Sequence, residues 1–300
     1  MQTYAQDLTI EPLEARFGAV VRGIDLARPL DGAKRAAIVD AFHAHQALLF
    51  RGPTLSPREF LAFVGQFGEP DSSPPQHEPV DVDGFKGLRL VSNIQEGGKA
   101  KGQFGHSEMG WHQDRWTDAA PPPATVLHGI EIPQHGGATA IASLCEAYDH
   151  LPADLRVRIE GRAIHFPLMV TDLENRLRDA DPDDTTLFRI VPLVQTHAAT
   201  GRQFLFIGAR RILSYIDTSP LISGLNRADS SALLDEIYAH VSNPAFEYRH
   251  AWTPGDLLIW DNRCCAHRRE AFDNAERRLL FAMPLVTSER LWVAPRSLAA

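Results

Sequence analysis

The chain has 300 residues, 44% of them hydrophobic and 23% charged, which is ordinary globular usage. Its 30 Lys and Arg against 38 Asp and Glu give a formal charge of -8, which argues against nucleic acid as a main partner, because phosphate neutralisation needs a basic face. No apolar run approaches a membrane span, the opening residues Met1 to Asp7 lack a signal's charged and apolar regions, and Cys145, Cys264 and Cys265 do not make a secreted disulfide framework, so a cytoplasmic globular protein of one large or two average domains is expected.

In chain order, Leu8 to Leu13 alternates apolar and polar residues and predicts a strand. Ala33 to Gln46 contains no Pro or Gly and predicts a helix, and Ala47 to Phe50 a short buried strand. Ser56-Pro57-Arg58-Glu59 has the form of a capping box with proline at the first helical position. It opens a helix with Phe60, Phe63, Val64 and Phe67 on one face, closed by Gly68. From Pro70 to Gly110, prolines and glycines predict a long, mostly irregular connection, and Thr171 to Leu187 an acidic insert. A connection of the first one's length is a functional lid or disordered, and the acidic insert is equally a solvated surface loop or a substrate lid.

Short strands are expected at Ala124 to His128, Ala138 to Ala142, Ile190 to Thr196, Gln203 to Ile207, Phe246 to Tyr248, Leu257 to Trp260 and Leu279 to Val286. Helices intervene at Leu151 to Glu160 and Ser230 to Val241. Many short strands between Gly and Pro turns favour a sandwich or jelly roll, mainly β with flanking helices, over a doubly wound parallel sheet.

The sequence has no G-x-S-x-G elbow, phosphate loop, G-x-G-x-x-G, C-x-x-C or H-E-x-x-H. Cys264-Cys265 reads as two buried soft residues at a strand end. Among histidines, His43 and His45 fall in the expected helix, where i and i+2 diverge by about 200°. His106-Ser107-Glu108 lies in the glycine-rich connection, and His112-Gln113-Asp114 follows Trp111 ahead of a strand. An extended His-x-Asp can present two ligands to one cation. The candidate third ligand is His267, at the far end of an apolar strand launched by Pro254-Gly255. On spacing alone, an ordinary surface imidazole is the better reading of His267.

The ordered set Trp111-His112-Gln113-Asp114, Pro133-Gln134-His135-Gly136-Gly137-Ala138-Thr139, Thr196-His197 to Gly201-Arg202, Trp260-Asp261-Asn262-Arg263 to His267, and Arg277-Arg278 resembles the taurine dioxygenase/2,4-dichlorophenoxyacetate dioxygenase family. The likeness runs through nearly the whole chain. It implies a double-stranded β-helix forming a single domain over 1–300, with lid inserts near 70–110 and 171–187. It also implies an Fe(II)- and 2-oxoglutarate-dependent dioxygenase that couples oxidative decarboxylation of 2-oxoglutarate by dioxygen to C–H oxidation of a small organic substrate.

The implied iron ligands are His112, Asp114 and His267, and Thr139 and Arg278 would hold the distal carboxylate of 2-oxoglutarate. Two imidazoles and one carboxylate leave three metal positions for 2-oxoglutarate and dioxygen. The alternative partner for Arg278 is Glu276. His106 and Glu108 become lid or pocket-wall features. Desaturation, cyclisation or epimerisation by the same chemistry, a metal-assisted hydrolase or isomerase, and a non-catalytic binding module are the competing readings, and homo-oligomerisation is left open.

The sequence departs from the resemblance at two places. Ala138 stands where the family usually has aspartate. Ala282 stands where many relatives carry a second arginine for the substrate's sulfonate or carboxylate, which implies that taurine is not used in the usual manner. Arg115, Lys101 and Arg210 are the candidate replacements for that cation.

Overall fold

The computed structural model describes residues 2–4, 8–71, 84–85, 87–168, 187–210 and 220–286. The expected insert at 171–187 lies outside the described residues except for Leu187. Two antiparallel-rich sheets carry the architecture. The larger has ten strands and runs in the order Gln2–Tyr4, Leu8–Pro12, Ala19–Arg22, Ala47–Phe50, Leu257–Asp261, Ala124–Glu131, Leu279–Val286, Arg89–Ser92, Gln103–Phe104, with Glu69–Pro70 also paired to Leu279–Val286. The smaller runs Met109–His112, Cys265–Arg269, Thr139–Ser143, Glu247–His250. This is the expected jelly roll, mainly β with helices outside it.

Side-chain alternation explains why the central strands read as continuous apolar runs. Leu258, Trp260, Leu127, Leu280 and Ala282 point inward to a core shared with Ile141 and Ala266 of the smaller sheet. Their neighbours Leu257, Ile259, Val126, Phe281 and Met283 point outward, under Ile38, Ala41, Phe60 and Phe63. Those four belong to two helices, Gly32–His45 and Pro57–Val64. Both faces of these central strands are therefore largely dry.

Helix ends follow local chemistry. Ser56 Oγ accepts from the Glu59 N–H while Glu59 Oε2 accepts from the Ser56 N–H at 2.8 Å, completing the capping box. That helix ends at Val64 with Gly65 as its cap, so Phe67 and Gly68 lie beyond it, which corrects the longer helix expected. Two helices match their expected places, at Ala153–Ile159 and Arg227–Val241, and a third, Leu144–Asp149, is additional.

The connection expected to be irregular contains structure. Its strands Arg89–Ser92 and Gln103–Phe104 extend the larger sheet, and Met109–His112 edges the smaller one. Gly97 and Gly98, at φ 57° and 78°, form a two-residue turn between Gln95–Glu96 and Lys99–Ala100. Their φ values suit a tight hairpin, so these glycines mark pairing within the connection. The strand expected at Ile190 to Thr196 is broken at Leu193 into Phe188–Pro192 and Val194–Thr196, which take different partners. Pro244–Phe246 is a 3-10 turn, and the following strand is Glu247–His250. Among the described residues, no helix is long and apolar enough to cross a membrane.

His128 ties the outer helices to the sheet. Its Nε2 accepts from the Leu55 N–H at 2.9 Å, and Nδ1 faces the Asp256 carbonyl at 3.1 Å. Burial pushes this imidazole down to about 4 from its ordinary 6.5. The unfolded chain thus binds the extra proton below about pH 6.5, so stability rises with pH between about 4 and 6.5. The group contributes up to about 3 kcal/mol of loss on acidification across that window. Urea midpoints at pH 7 and 5 should fall less in His128→Gln than in wild type; equal falls would remove His128 as a cause.

Candidate active site

The pocket between the two sheets is lined by Met109, His112, Asp114, Thr125, Thr139, Trp260, His267, Arg269, Arg278 and Ala282, among others. His112 closes the Met109–His112 strand and sits in register with His267 on Cys265–Arg269. Their ring centroids are 4.0 Å apart, and the Trp260 ring centroid lies 4.6 Å from that of His267. Asp114 Oδ1 is 3.9 Å from His112 Nε2 and 3.8 Å from His267 Nε2. One ligand atom from each of the three residues lies within 4.8 Å of the others, close enough to share one cation.

The donor set is oriented for this. His112 Nδ1 lies 2.8 Å from the Gly110 carbonyl, to which it can donate, leaving Nε2 turned to Asp114. The Thr125 hydroxyl donates to Asp114 Oδ2 at 2.5 Å, so Oδ1 is the oxygen that faces the imidazoles. Burial opposes ionisation of Asp114, but His267, His112, the Thr125 hydroxyl and the charge of Arg89 outweigh it and hold the carboxyl below its usual range. Burial, with His112 alongside, pushes the His267 imidazole down to about 3. A neutral imidazole and an ionised carboxylate are the states a divalent cation requires.

Two amides unnoticed in the sequence hold the turn that carries Asp114. Asn262 Oδ1 accepts from the Asp114 N–H at 2.6 Å, and Nδ2 donates to the Asp114 and Pro122 carbonyls at 3.0 Å each. Gln113, fully buried, donates to the Asn262 and Arg263 carbonyls and accepts from the Ile207 and Gly208 N–H groups.

Thr139 and Arg278 line the same pocket. Thr139 Oγ1 accepts from Trp252 Nε1 at 3.0 Å, which leaves its own proton for another acceptor. Arg278 is 1% exposed, and its Nε and Nη1 have no partner among the described residues. Glu276 instead accepts from the backbone of Gln134 and His135. Sequence reasoning missed Arg269, two residues after His267 on the same strand face and 5% exposed, which also has unpartnered Nε and Nη1. Its Nη2 donates to the Phe104 and Ser107 carbonyls. Burial first, and then mutual repulsion, lowers Arg278 to about 9. Unpaired buried guanidiniums are costly, and a carboxylate between them satisfies both the charge and the donors, so the residues fit 2-oxoglutarate.

Gly137 allows this arrangement. At φ 66°, it occupies the left-handed region, and a Cβ there would stand 3.3 Å from Arg278 Cδ and Nε. Ala138 is buried beside it and continues the turn.

Other candidates fall away. His43 and His45 end the Gly32–His45 helix, and His106 and Glu108 are exposed and do not line the pocket. His197, Asp261 and Cys264 also cluster, but Arg263 and His197 already occupy the Asp261 carboxylate at 2.6–2.9 Å, so this is a structural ion network. Burial raises the Cys265 thiol above its ordinary range, consistent with an inert buried pair. A second cavity, between the outer helices and the larger sheet, is lined almost wholly by apolar side chains such as Phe42, Phe63 and Leu257.

Comparison with known proteins agrees with this geometry. Residues 9–283 match the taurine catabolism dioxygenase TauD, TfdA family. The chain belongs to that family. It is 33% identical over 288 residues to the alpha-ketoglutarate-dependent 2,4-dichlorophenoxyacetate dioxygenase of Cupriavidus pinatubonensis, covering 90% of this chain and 94% of the relative. It is 30% identical to the pentalenolactone F synthase of Streptomyces arenae, over 89% of this chain and 91% of that one. The crystal structure of a taurine dioxygenase from Burkholderia xenovorans superposes with a TM-score of 0.73 at 29% identity, covering 94% and 92% of the two chains. The protein is accordingly an Fe(II)- and 2-oxoglutarate-dependent dioxygenase acting on a small molecule, alpha-ketoglutarate being the synonym in the relatives' names.

Asn262→Ala should cost this dioxygenase about 1–3 kcal/mol through the orphaned Asp114 and Pro122 groups and weaken Fe(II) binding by roughly 10- to 100-fold. Anaerobic metal titration and thermal melting measure the two effects. Wild-type metal affinity in the variant would show that Asn262 does not position Asp114.

Proposed function

We propose that Fe(II) is held by His112, Asp114 and His267, and 2-oxoglutarate by Thr139 and Arg278, within one catalytic unit that oxidises a C–H bond of a small organic substrate other than taurine. The observation that carries this reading is the convergence of three ligand atoms in one pocket with a buried Arg278 whose donors lack partners. Bound Fe(II) supplies dioxygen activation coupled to decarboxylation of 2-oxoglutarate, which releases succinate and carbon dioxide. The protein's part is placement.

Asp114 offers one oxygen to the cation because Thr125 occupies the other. Arg278 grips a carboxylate at a fixed distance from the triad because its guanidinium is planar and its neighbours are tightly packed. Val91, Leu127, Trp260 and Ala282 give the substrate side an apolar wall that limits water around the reacting carbon. Hydroxylation, desaturation and cyclisation share that first C–H step. Exclusion of taurine rests on Ala282, which removes the cation from the strand position where many relatives carry arginine, and on the apolar wall beside it, which gives taurine's ammonium no partner among the described residues.

Chelation should abolish succinate release, and Fe(II) should restore it. Asp114→Ala should lose Fe(II) binding. Arg278→Ala should keep the metal but weaken 2-oxoglutarate by roughly 10- to 150-fold, the loss of one charged hydrogen-bonded contact. Taurine should not increase succinate release. Undiminished 2-oxoglutarate binding by Arg278→Ala, or metal binding by Asp114→Ala, would remove those residues from their roles.

A further inference from the structure

Building on the metal and 2-oxoglutarate assignments above, we propose that Arg89 is the anion anchor for the substrate, replacing from the adjacent strand the cation absent at Ala282, and that the substrate is a monoanion with an apolar body.

Strand register puts Arg89 beside Ala282. Arg89–Ser92 pairs antiparallel with Leu279–Val286, and Arg89 stands directly opposite Ala282. Paired residues share a face, with Cβ atoms about 4.5–5.5 Å apart. The neighbouring pairs bear this out: Leu280 and Val91 belong to the inner core, while Phe281 and Leu90 belong to the outer one. Arg89 and Ala282 therefore both face the iron pocket, and both line it. The small Ala282 side chain leaves room for a guanidinium arriving from the side.

Of the cations expected as replacements, Lys101 pairs with Glu96 and Arg210 with Ser231 and Asp235, and neither lines the pocket. Arg115 does line it, but both its Nε and Nη2 serve Asp118. Asp71, 3% exposed, accepts Arg89 Nη2 at 2.8 Å and Arg115 Nη1 at 2.6 Å, holding the two guanidiniums side by side. Among the described residues, the Arg89 Nε remains buried without a partner.

The charge balance among the described residues leads to the same substrate class. Arg89, Arg115, Arg269 and Arg278 face the pocket against Asp114 alone, and Asp71 and Asp118 pair with these guanidiniums. A divalent cation and the 2-oxoglutarate dianion cancel, so one positive charge is left for the substrate. The walls beside it are Val91, Leu127, Ala282 and Pro284, which suit an apolar body.

The test uses anaerobic, Fe(II)-loaded protein saturated with 2-oxoglutarate. Calorimetry follows hexanoate, phenylacetate and phenoxyacetate, each beside its neutral amide, together with hexanesulfonate. In wild type, at least one acid should bind roughly 10- to 100-fold more tightly than its amide. Arg89→Met should erase that preference while 2-oxoglutarate affinity stays within about twofold, and Ala282→Arg added to Arg89→Met should restore it. A preference for the sulfonate over carboxylates would assign the anion type.

Should the methionine variant not fold, Arg89→Lys should keep a weakened preference, because lysine offers one point charge instead of a fork; an unaltered acid affinity there counts against the proposal. No acid bound below about 10 mM, equal binding of acid and amide, or a preference that survives in Arg89→Met would overturn it. Failure of Fe(II) and 2-oxoglutarate to bind in the first step would instead overturn the function proposed above, and this inference with it.

Discussion

The site depends on one antiparallel pairing. His112 and His267 are far apart in the chain and become neighbours only because Met109–His112 lies beside Cys265–Arg269 in the smaller sheet. The register shifts between Met109 and His112. Such an irregularity re-aims the chain locally, and here it precedes the turn on which Asp114 stands. Buried amides then fix that turn from the opposite side: Asn262 grips the Asp114 backbone, and Gln113 ties the same loop to Ile207 and Gly208. Because each amide is fully engaged, the carboxylate position is set by the packed scaffold rather than by a free side chain.

A second constraint is electrostatic. The pocket keeps guanidiniums at low exposure with few carboxylates to meet them; Arg278 and Arg269 are held at about 9 and 10, chiefly by burial. A protein selected for stability alone would not retain such unmatched charge. Phe272 lies 5.7 and 5.9 Å from the two guanidinium carbons, a weak partner for both. The imbalance makes sense as preparation for anionic ligands, whose carboxylates find donors already in place and lose little to reorganisation.

Much of the framework was legible because it is encoded locally. The Ser56–Glu59 capping box, the strand at Ala47–Phe50 and the central strands Leu257–Asp261 and Leu279–Val286 follow from caps and runs of apolar residues. The short strands in the connection before Gly110 were missed because glycines mark tight hairpin turns as readily as loops, and only pairing partners distinguish the two. Arg269 and Arg89 were overlooked for a related reason. An arginine in a short strand is ordinary at a surface, and nothing local says that its neighbours are all buried.

The sequence by itself determined the residue types and their order: His112-x-Asp114, the later His267, Thr139 and Arg278, and the alternating strands that carry them. Their chemistry follows from side-chain structure and needs no coordinates. Only the tertiary structure decided that Asp114 meets both imidazoles within 4.8 Å, that Arg278 lacks a carboxylate partner, and that Arg89 stands across from Ala282. Those are properties of register and burial, which depend on contacts between distant segments. A one-residue slip in any of these pairings would turn the same side chains to the opposite face.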